Sequence, residues 1–327
     1  MKDSMLKNFL VNVRALFSTN IRRRLNDDSN RIAKMAEALD GLDDVFTTKF
    51  HYLNLMDYYA IHKDEADTYR KELDYLQQLG HYVNFPYKSD PGTDTIESGM
   101  DEATKLPFVI HKGKKLFFPS HYSLKDAIAT YLRYIQEEKL LGVDETEESP
   151  HQYQSPWVCV EEGDVVFDVG AAEGLFALDQ IDKASHVVVV ERDPVWREPL
   201  RQTFAPYGDK VTIIEKFISA VDTENTMSLQ KLLKDMDYAS AFVKMDVEGS
   251  ELPSLTGALE VLKGKWGTKL SVASYHRQHD AEQLKALFDG IGYTSQFSNG
   301  YMLFSAYDTP APPYFRRGII RAKTIGI

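Results

Sequence analysis

The chain has 327 residues, 43% of them hydrophobic and 27% charged, a mixture expected of a soluble globular protein with one large domain or two ordinary ones. Its net charge of −11 argues against nonspecific binding to nucleic acid or to an anionic membrane, since both need clustered positive charge. The single cysteine, Cys159, excludes an intrachain disulfide and a zinc cluster of cysteines, suits a reducing cytoplasm and reads as a buried small hydrophobe.

In chain order, apolar residues recur at helical spacing in Met5 to Phe17, Ile32 to Leu39 and Tyr69 to Leu79, so residues 1–150 are expected to be mainly helical. The segment Ser89-Asp90-Pro91-Gly92 is turn chemistry, and Phe108 to Phe118 reads as a short hairpin closed around Gly113. Ser123, with Asp126 three residues on, is an N-cap signature. It opens a helix with Leu124, Ile128, Leu132 and Ile135 on one face and Gly142 at its end. The acidic stretch Asp144 to Pro150 is expected to be a linker, and Arg22 to Arg24 and Arg316-Arg317 are expected to be solvated. No apolar run approaches the roughly 18 residues that a membrane span needs, so a cytoplasmic protein without a span is expected. The N-terminal region, rich in tyrosine and histidine, is expected to cover an acceptor mouth or to mediate a homodimer, two readings left open.

Residues 151–308 alternate strand and helix as a doubly wound sheet does. Strands are expected at Val165 to Val169, His186 to Glu191, Val211 to Glu215, Ala241 to Asp246 and Lys269 to Ser274. Helices start at the caps Asp193-Pro194, Ser228 and Asp280, and a further one runs from Glu251 to Leu262. Tyr293 to Ser298 and Tyr301 to Ala306 flank Asn299-Gly300, a strong hairpin signal. The expected class is therefore α/β, a mostly parallel sheet ending in an antiparallel hairpin, preceded by the helical region and followed by a tail over 309–327. Such a layout is that of the common S-adenosylmethionine-dependent methyltransferases rather than of a dehydrogenase.

Several constellations carry chemistry. Asp168-Val169-Gly170-Ala171-Ala172-Glu173-Gly174 reads as a strand breaking into a glycine turn that brings backbone close to a ligand. Asp168 and Glu173 would repel a pyrophosphate, so a sulfonium cofactor, S-adenosylmethionine, is favoured over NAD. Asp168, Gly170, Ala171, Glu173 and Gly174 are the candidate cofactor residues of this turn. Glu191 lies 23 residues after Asp168, near the ~20 at which a strand-end acid accepts both ribose hydroxyls. Asp246 and Glu248, in Lys244-Met245-Asp246-Val247-Glu248-Gly249-Ser250-Glu251, close another strand. There they polarise the acceptor, hold the methionine ammonium or bind a divalent metal, unless Glu248 and Glu251 merely cap the helix. His276, in Tyr275-His276-Arg277-Gln278-His279-Asp280, is the candidate general base for an acceptor hydroxyl. A metal-assisted variant would use Asp246, Glu248 and His276 or His279; it is not favoured, and no metal is assigned.

These three blocks resemble those of the FkbM-type methyltransferases over about Trp157 to Ser305. The resemblance implies S-adenosylmethionine-dependent methylation, usually of an oxygen on a sugar, glycan or natural product. By position it implies Asp168, Gly170, Gly174 and Glu191 on the cofactor and Asp246, Glu248 and His276 toward the acceptor. Glu173 departs from the more usual asparagine or hydrophobic residue, and Gln278-His279 from the usual proline-acid pair. The competing readings are a noncatalytic module that binds a cofactor or partner on the same fold and an NAD-dependent oxidoreductase.

Overall fold

Consecutive apolar and β-branched residues that have no polar face must be covered on both sides, and that requirement organises the centre of this protein. The computed structural model describes residues 48–86, 96–138, 149–264, 267–304 and 310–324. The expected helices Met5 to Phe17 and Ile32 to Leu39, the Ser89 to Gly92 turn, the Arg22 to Arg24 cluster, Gly142 and most of the Asp144 to Pro150 linker lie outside these residues.

The chain divides into two units. Among the described residues the first takes in 48–68 and 76–83. It contains helix α1 (48–61), helix α2 (Lys63–Thr68) and the end of helix α3 (Arg70–Leu79). Tyr58 stacks on His62 with ring centroids 3.9 Å apart, and the Lys49 ammonium donates to the carbonyl of Gly80 at 3.0 Å.

The second unit holds Tyr69–Tyr75 and the described residues from Asn84 onward. It opens with a small antiparallel sheet of β1 (Ser98–Met100), β2 (Pro107–His111) and β3 (Lys114–Phe117). The β2–β3 hairpin turns on Lys112 and Gly113, both at positive φ, which is the two-residue turn expected at Gly113. Helix α4 (Leu124–Glu138) starts at a reciprocal cap: Ser123 N donates to Asp126 Oδ2 at 2.9 Å and Asp126 N donates to Ser123 Oγ at 3.2 Å. Its buried residues include Ala127, Tyr131 and Ile135, a face adjoining the expected Leu124, Ile128 and Leu132.

There follow β4 (Val165–Val169), α5 (Leu175–Gln180), β5 (His186–Val190), α6 (Pro194–Phe204), β6 (Val211–Ile214), the short pair β7 (Phe217–Ser219) and β8 (Thr226–Ser228), and α7 (Leu229–Lys234). Next come β9 (Ala241–Met245), α8 (Glu251–Gly257), α9 (Leu259–Gly264), β10 (Thr268–Ala273), α10 (Asp280–Gly290), β11 (Tyr293–Phe297), β12 (Met302–Leu303), β13 (Phe315–Arg316) and β14 (Ile319–Thr324). Seven strands form one sheet in the order β11-β14-β10-β9-β4-β5-β6. The pairs β10·β9, β9·β4, β4·β5 and β5·β6 are parallel, and β14 runs antiparallel to both of its neighbours. This is a doubly wound, Rossmann-like sheet, mostly parallel with one antiparallel strand inserted near an edge. Two helix starts agree with their sequence caps: Asp193 accepts from Val195 N, and Ser228 accepts from Lys231 N. The third does not: His279 holds the N-cap position of α10, and Asp280 is the first residue inside the helix.

Several expectations are corrected. The residues beyond 309 are no tail, because Ile319–Thr324 fills the slot between β10 and β11. The antiparallel partner of β11 is therefore β14 and not residues 301–306, although Gly300 does turn the chain at φ +79. A slot buried on both faces demands apolar residues on both, and Ile319, Ile320 and Ala322 supply them. Residue 150 is also no boundary: Leu116, Phe118, Tyr131 and Ile135 share one core with Val166, Phe176 and Val187. Finally, Arg316 is buried and Cys159 only partly so, the reverse of what their neighbours in sequence suggest.

Candidate active site

The glycine turn after β4 is shaped by its neighbours as much as by any ligand. Gly170 has φ +76, and a Cβ there would lie 1.7 Å from the carbonyl oxygen of Asp246, so the turn can pass the end of β9 only as glycine. Gly174, at φ +81, would drive a Cβ to 2.8 Å from Leu200 and 2.9 Å from Phe204; it seats α5 against α6 and does not line the cavity. Ala172 holds φ +46 without being glycine, and Glu248, in the facing turn after β9, holds φ +58. Such left-handed residues cost about 1 kcal/mol each.

Asp168 does not show its charge to the cavity. Parallel register sets it beside Lys244, and its fully buried carboxylate lies 3.0 Å from the Lys244 ammonium and accepts from Ala177 N at 3.1 Å. Lys244 also donates to the Gly170 carbonyl at 2.6 Å. The pair therefore braces the turn from beneath, and the expected contact between Asp168 and a ligand is replaced by a structural one. The reason is geometric: β4 is covered on both faces, so a strand residue before its end points into the core.

Outside the carboxyl ends of β4, β5, β6 and β9 lies a cavity of about 720 Å³, in the range of small-molecule sites and at the edge where open α/β sheets bind ligands. Gly170, Ala171, Glu173 and Glu191 line one side. Each oxygen of Glu191 accepts one backbone N–H, from Ala172 at 2.8 Å and from Asp193 at 2.7 Å, and a carboxylate oxygen has a second lone pair to offer. Phe217, half exposed, lines the same region under the Arg192 guanidinium at 4.1 Å. Glu173 is buried, and burial pushes its carboxyl up to about 7.

The other wall centres on Asp246. Its Oδ2 accepts from the hydroxyls of Tyr153 at 2.7 Å and Tyr275 at 3.0 Å and lies 3.4 Å from His151 Nε2, while Oδ1 lies 3.3 Å from His276 Nε2. Burial would raise this carboxyl, but the hydrogen bond from His151 and the charges of His276 and Lys244 outweigh it and hold Asp246 far below the usual range. His276 is 1% exposed, with Nδ1 3.1 Å from Glu251 Oε1 and Nε2 3.5 Å from Glu248 Oε2. Burial alone would lower its pKa; the Glu251 contact and the Asp246 and Glu248 charges instead push it up to about 9. A ring held protonated in this way has no lone pair to spare, which speaks against the expected role of general base.

One ligand atom from each of Asp246, Glu251 and His276 lies within 4.8 Å of the other two, a set that could hold a divalent ion. It contains Glu251, which sequence reasoning treated only as a cap, and not the exposed His279. The same distances are those of an imidazolium held between carboxylates.

The cavity thus brings Gly170, Ala171, Glu173, Glu191, Asp246 and Glu248 together, and leaves Asp168, Gly174 and His276 behind it. Sequence reasoning missed His151, Tyr153, Lys244, Glu251 and Arg316. Of these, Lys244 had a signal, a lone cation inside an apolar strand in register with Asp168. His151 and Tyr153 lie on an irregular segment with no periodicity to mark them. Arg316 donates to the carbonyls of Tyr275 at 2.8 Å and His276 at 2.9 Å and so holds the loop after β10.

No protein-family model matches the chain, and a search of curated proteins gives no match. Among solved structures it is similar to a precorrin-6Y C5,15-methyltransferase from Geobacter metallireducens, with 13% identity and a TM-score of 0.35 over 51% of this chain and 84% of that one. It is also similar to an rRNA methylase from Streptococcus thermophilus, with 12% identity and a TM-score of 0.34 over 50% and 89%. A third is a putative RNA methyltransferase from Pyrococcus horikoshii, with 14% identity and a TM-score of 0.31 over 50% and 75%. The fold itself rests on strand order and direction.

Proposed function

We propose that this protein is an S-adenosylmethionine-dependent methyltransferase of FkbM type, acting on a hydroxyl of a small molecule, sugar, glycan or natural product. The observation that carries the reading is the pairing, in one cavity at the carboxyl edge of the sheet, of a glycine turn and Glu191 with a facing wall built on Asp246. Glu191 would hold the ribose hydroxyls and the Gly170 to Glu173 turn the methionine end. The residues suit the cofactor, because Glu173 offers a buried oxygen that no group among the described residues satisfies. When bound, S-adenosylmethionine supplies an electrophilic methyl group on a sulfonium.

The acceptor heteroatom would attack the methyl carbon in line with the carbon–sulfur bond, whose electron pair leaves with sulfur. Asp246, fixed by Tyr153, Tyr275 and His276, would accept a hydrogen bond from the acceptor and orient it. So depressed a carboxylate is a weak base, and rate would come mainly from proximity and alignment. The acceptor proton departs with or after methyl transfer, to water or to a less depressed group. A homodimer and a cytoplasmic location remain part of this reading, and nucleic acid is not proposed as a substrate.

Titration calorimetry with S-adenosylmethionine and S-adenosylhomocysteine tests the reading: micromolar binding of both supports it, and binding of neither overturns it. Binding without methyl transfer to any member of a broad hydroxyl and amine acceptor panel would favour the noncatalytic module instead. Binding of NAD in place of the sulfonium compound would favour the oxidoreductase.

A further inference from the structure

Two buried carboxyls from different elements line the same cavity, each with an oxygen that lacks a partner among the described residues. Glu173 of the glycine turn is 4% exposed and Glu138 of the last turn of α4 is 7% exposed. Neither Glu173 Oε2 nor Glu138 Oε2 makes a hydrogen bond among the described residues. A buried oxygen without a donor is costly, and two in one cavity wall call for a ligand that donates to both. Of the nearby cations, Lys244 is committed beneath the turn to Asp168 and the Gly170 carbonyl, and the Arg133 guanidinium lies over the Tyr134 ring at 4.8 Å.

We propose that Glu138 and Glu173 together seat the ammonium group of the cofactor's methionine end, and that Arg133, on the same helix as Glu138, takes its carboxylate. An ammonium is a compact donor of three N–H groups with no acceptor, so it satisfies two carboxylate oxygens at once. Arg133 lines the cavity and carries a planar fork suited to a carboxylate. The seat rests on the methyltransferase reading and deepens it. Neither acid comes with the family resemblance: α4 lies outside the stretch that carries it, and Glu173 stands where such proteins more often have asparagine or a hydrophobic residue.

The seat has a consequence for pH. Burial pushes Glu173 up to about 7 and Glu138 well above the usual carboxyl range. Lys244 opposes this in both cases, while Asp168 adds repulsion to both and Glu173 and Glu137 add it to Glu138. Tyr134 and Arg133 face Glu173 from α4. The empty seat therefore holds protons near neutrality. An arriving ammonium favours the ionised carboxylates, so binding releases protons and tightens as pH rises from 6 to 8.

The test compares S-adenosylhomocysteine with 5′-methylthioadenosine, which keeps the adenosine and thioether but has no amino-acid end. Titration calorimetry on the full chain at pH 8 is expected to show Glu138→Gln and Glu173→Gln each weakening S-adenosylhomocysteine by about tenfold or more, as loss of a charged hydrogen bond does. Methylthioadenosine should change less than twofold. In the wild type, binding heats in phosphate and in Tris should differ by the proton release, a readout that needs no variant. Equal weakening of both nucleosides would mean a packing role and overturn the seat, as would unchanged affinity for S-adenosylhomocysteine or no proton release. Failure of both nucleosides to bind the wild type would overturn the methyltransferase reading and the seat with it.

Discussion

His276 Nδ1 lies 3.1 Å from Glu251 Oε1, and both side chains are 1% exposed. A ring tied this way on one nitrogen, with Asp246 and Glu248 on the other, keeps its proton: its pKa stands at about 9 against 6.5 for a free histidine. Because the folded value is the higher, the stabilisation is complete below pH 6.5 and is lost as pH climbs through 9. Histidine side-chain NMR should show one ring titrating near 9, and His276→Gln should cost about 3 kcal/mol at pH 7 by leaving buried carboxylates uncompensated. A midpoint near 6.5 for that ring would refute the assignment.

Glu173 shifts stability in the same direction, over a lower pH range. Its folded value of about 7 exceeds the ordinary 4.5, so the empty protein is stabilised by this proton below about 4.5 and loses that stability as pH rises through 7. At pH 8 Glu173→Gln should be more stable to urea than the wild type, by on the order of 2 kcal/mol, and at pH 4 the two should be nearly equal. Equal stability at both pH values would show that water already solvates the carboxylate.

The two kinds of strained glycine are separable by substitution. Gly113 has φ +79 but nothing within 4 Å of where a Cβ would stand, so Gly113→Ala should cost only about 1 kcal/mol. Gly170→Ala sets a carbon 1.7 Å from the Asp246 carbonyl and should cost more than about 4 kcal/mol or prevent folding. Similar denaturation midpoints for the two variants would contradict the close approach of the β4 turn to the end of β9.

Arg316 acts through the loop after β10. Its guanidinium satisfies the carbonyls of Tyr275 and His276, so Arg316→Met should free the loop that carries Tyr275 to Asp246. The expected result is at least a tenfold loss of methyl transfer with affinity for S-adenosylhomocysteine within twofold, since Glu191 and the glycine turn are untouched. Equal loss of cofactor affinity would show that the effect spreads across the sheet.

Much of this protein was legible in the chain because its signals are local. Runs such as Val187 to Val190 announce strands, Asp193 and Ser228 announce helix starts, and Ser123 with Asp126 announces α4. Glu191 was readable because its role depends on spacing along one βαβ unit. Strand β14 was not, because Arg321 and Lys323 make Ile319–Thr324 look half-polar. Arg321 is in fact buried, donating from Nε to the Tyr153 carbonyl at 3.1 Å and from Nη2 to the Gln152 carbonyl.

The sequence by itself determined the alternation of strand and helix, the glycine turn, and which acids stand at strand ends, since each is set by residues within about ten positions of one another. Only the tertiary structure decided what those acids meet. Asp168 faces Lys244 across two strands, His276 is surrounded by carboxylates from another turn, and Glu138 is brought from α4 to the cavity that Glu173 lines. Charge state and role depend on burial and on partners distant in the chain, and those exist only once the sheet has closed around them.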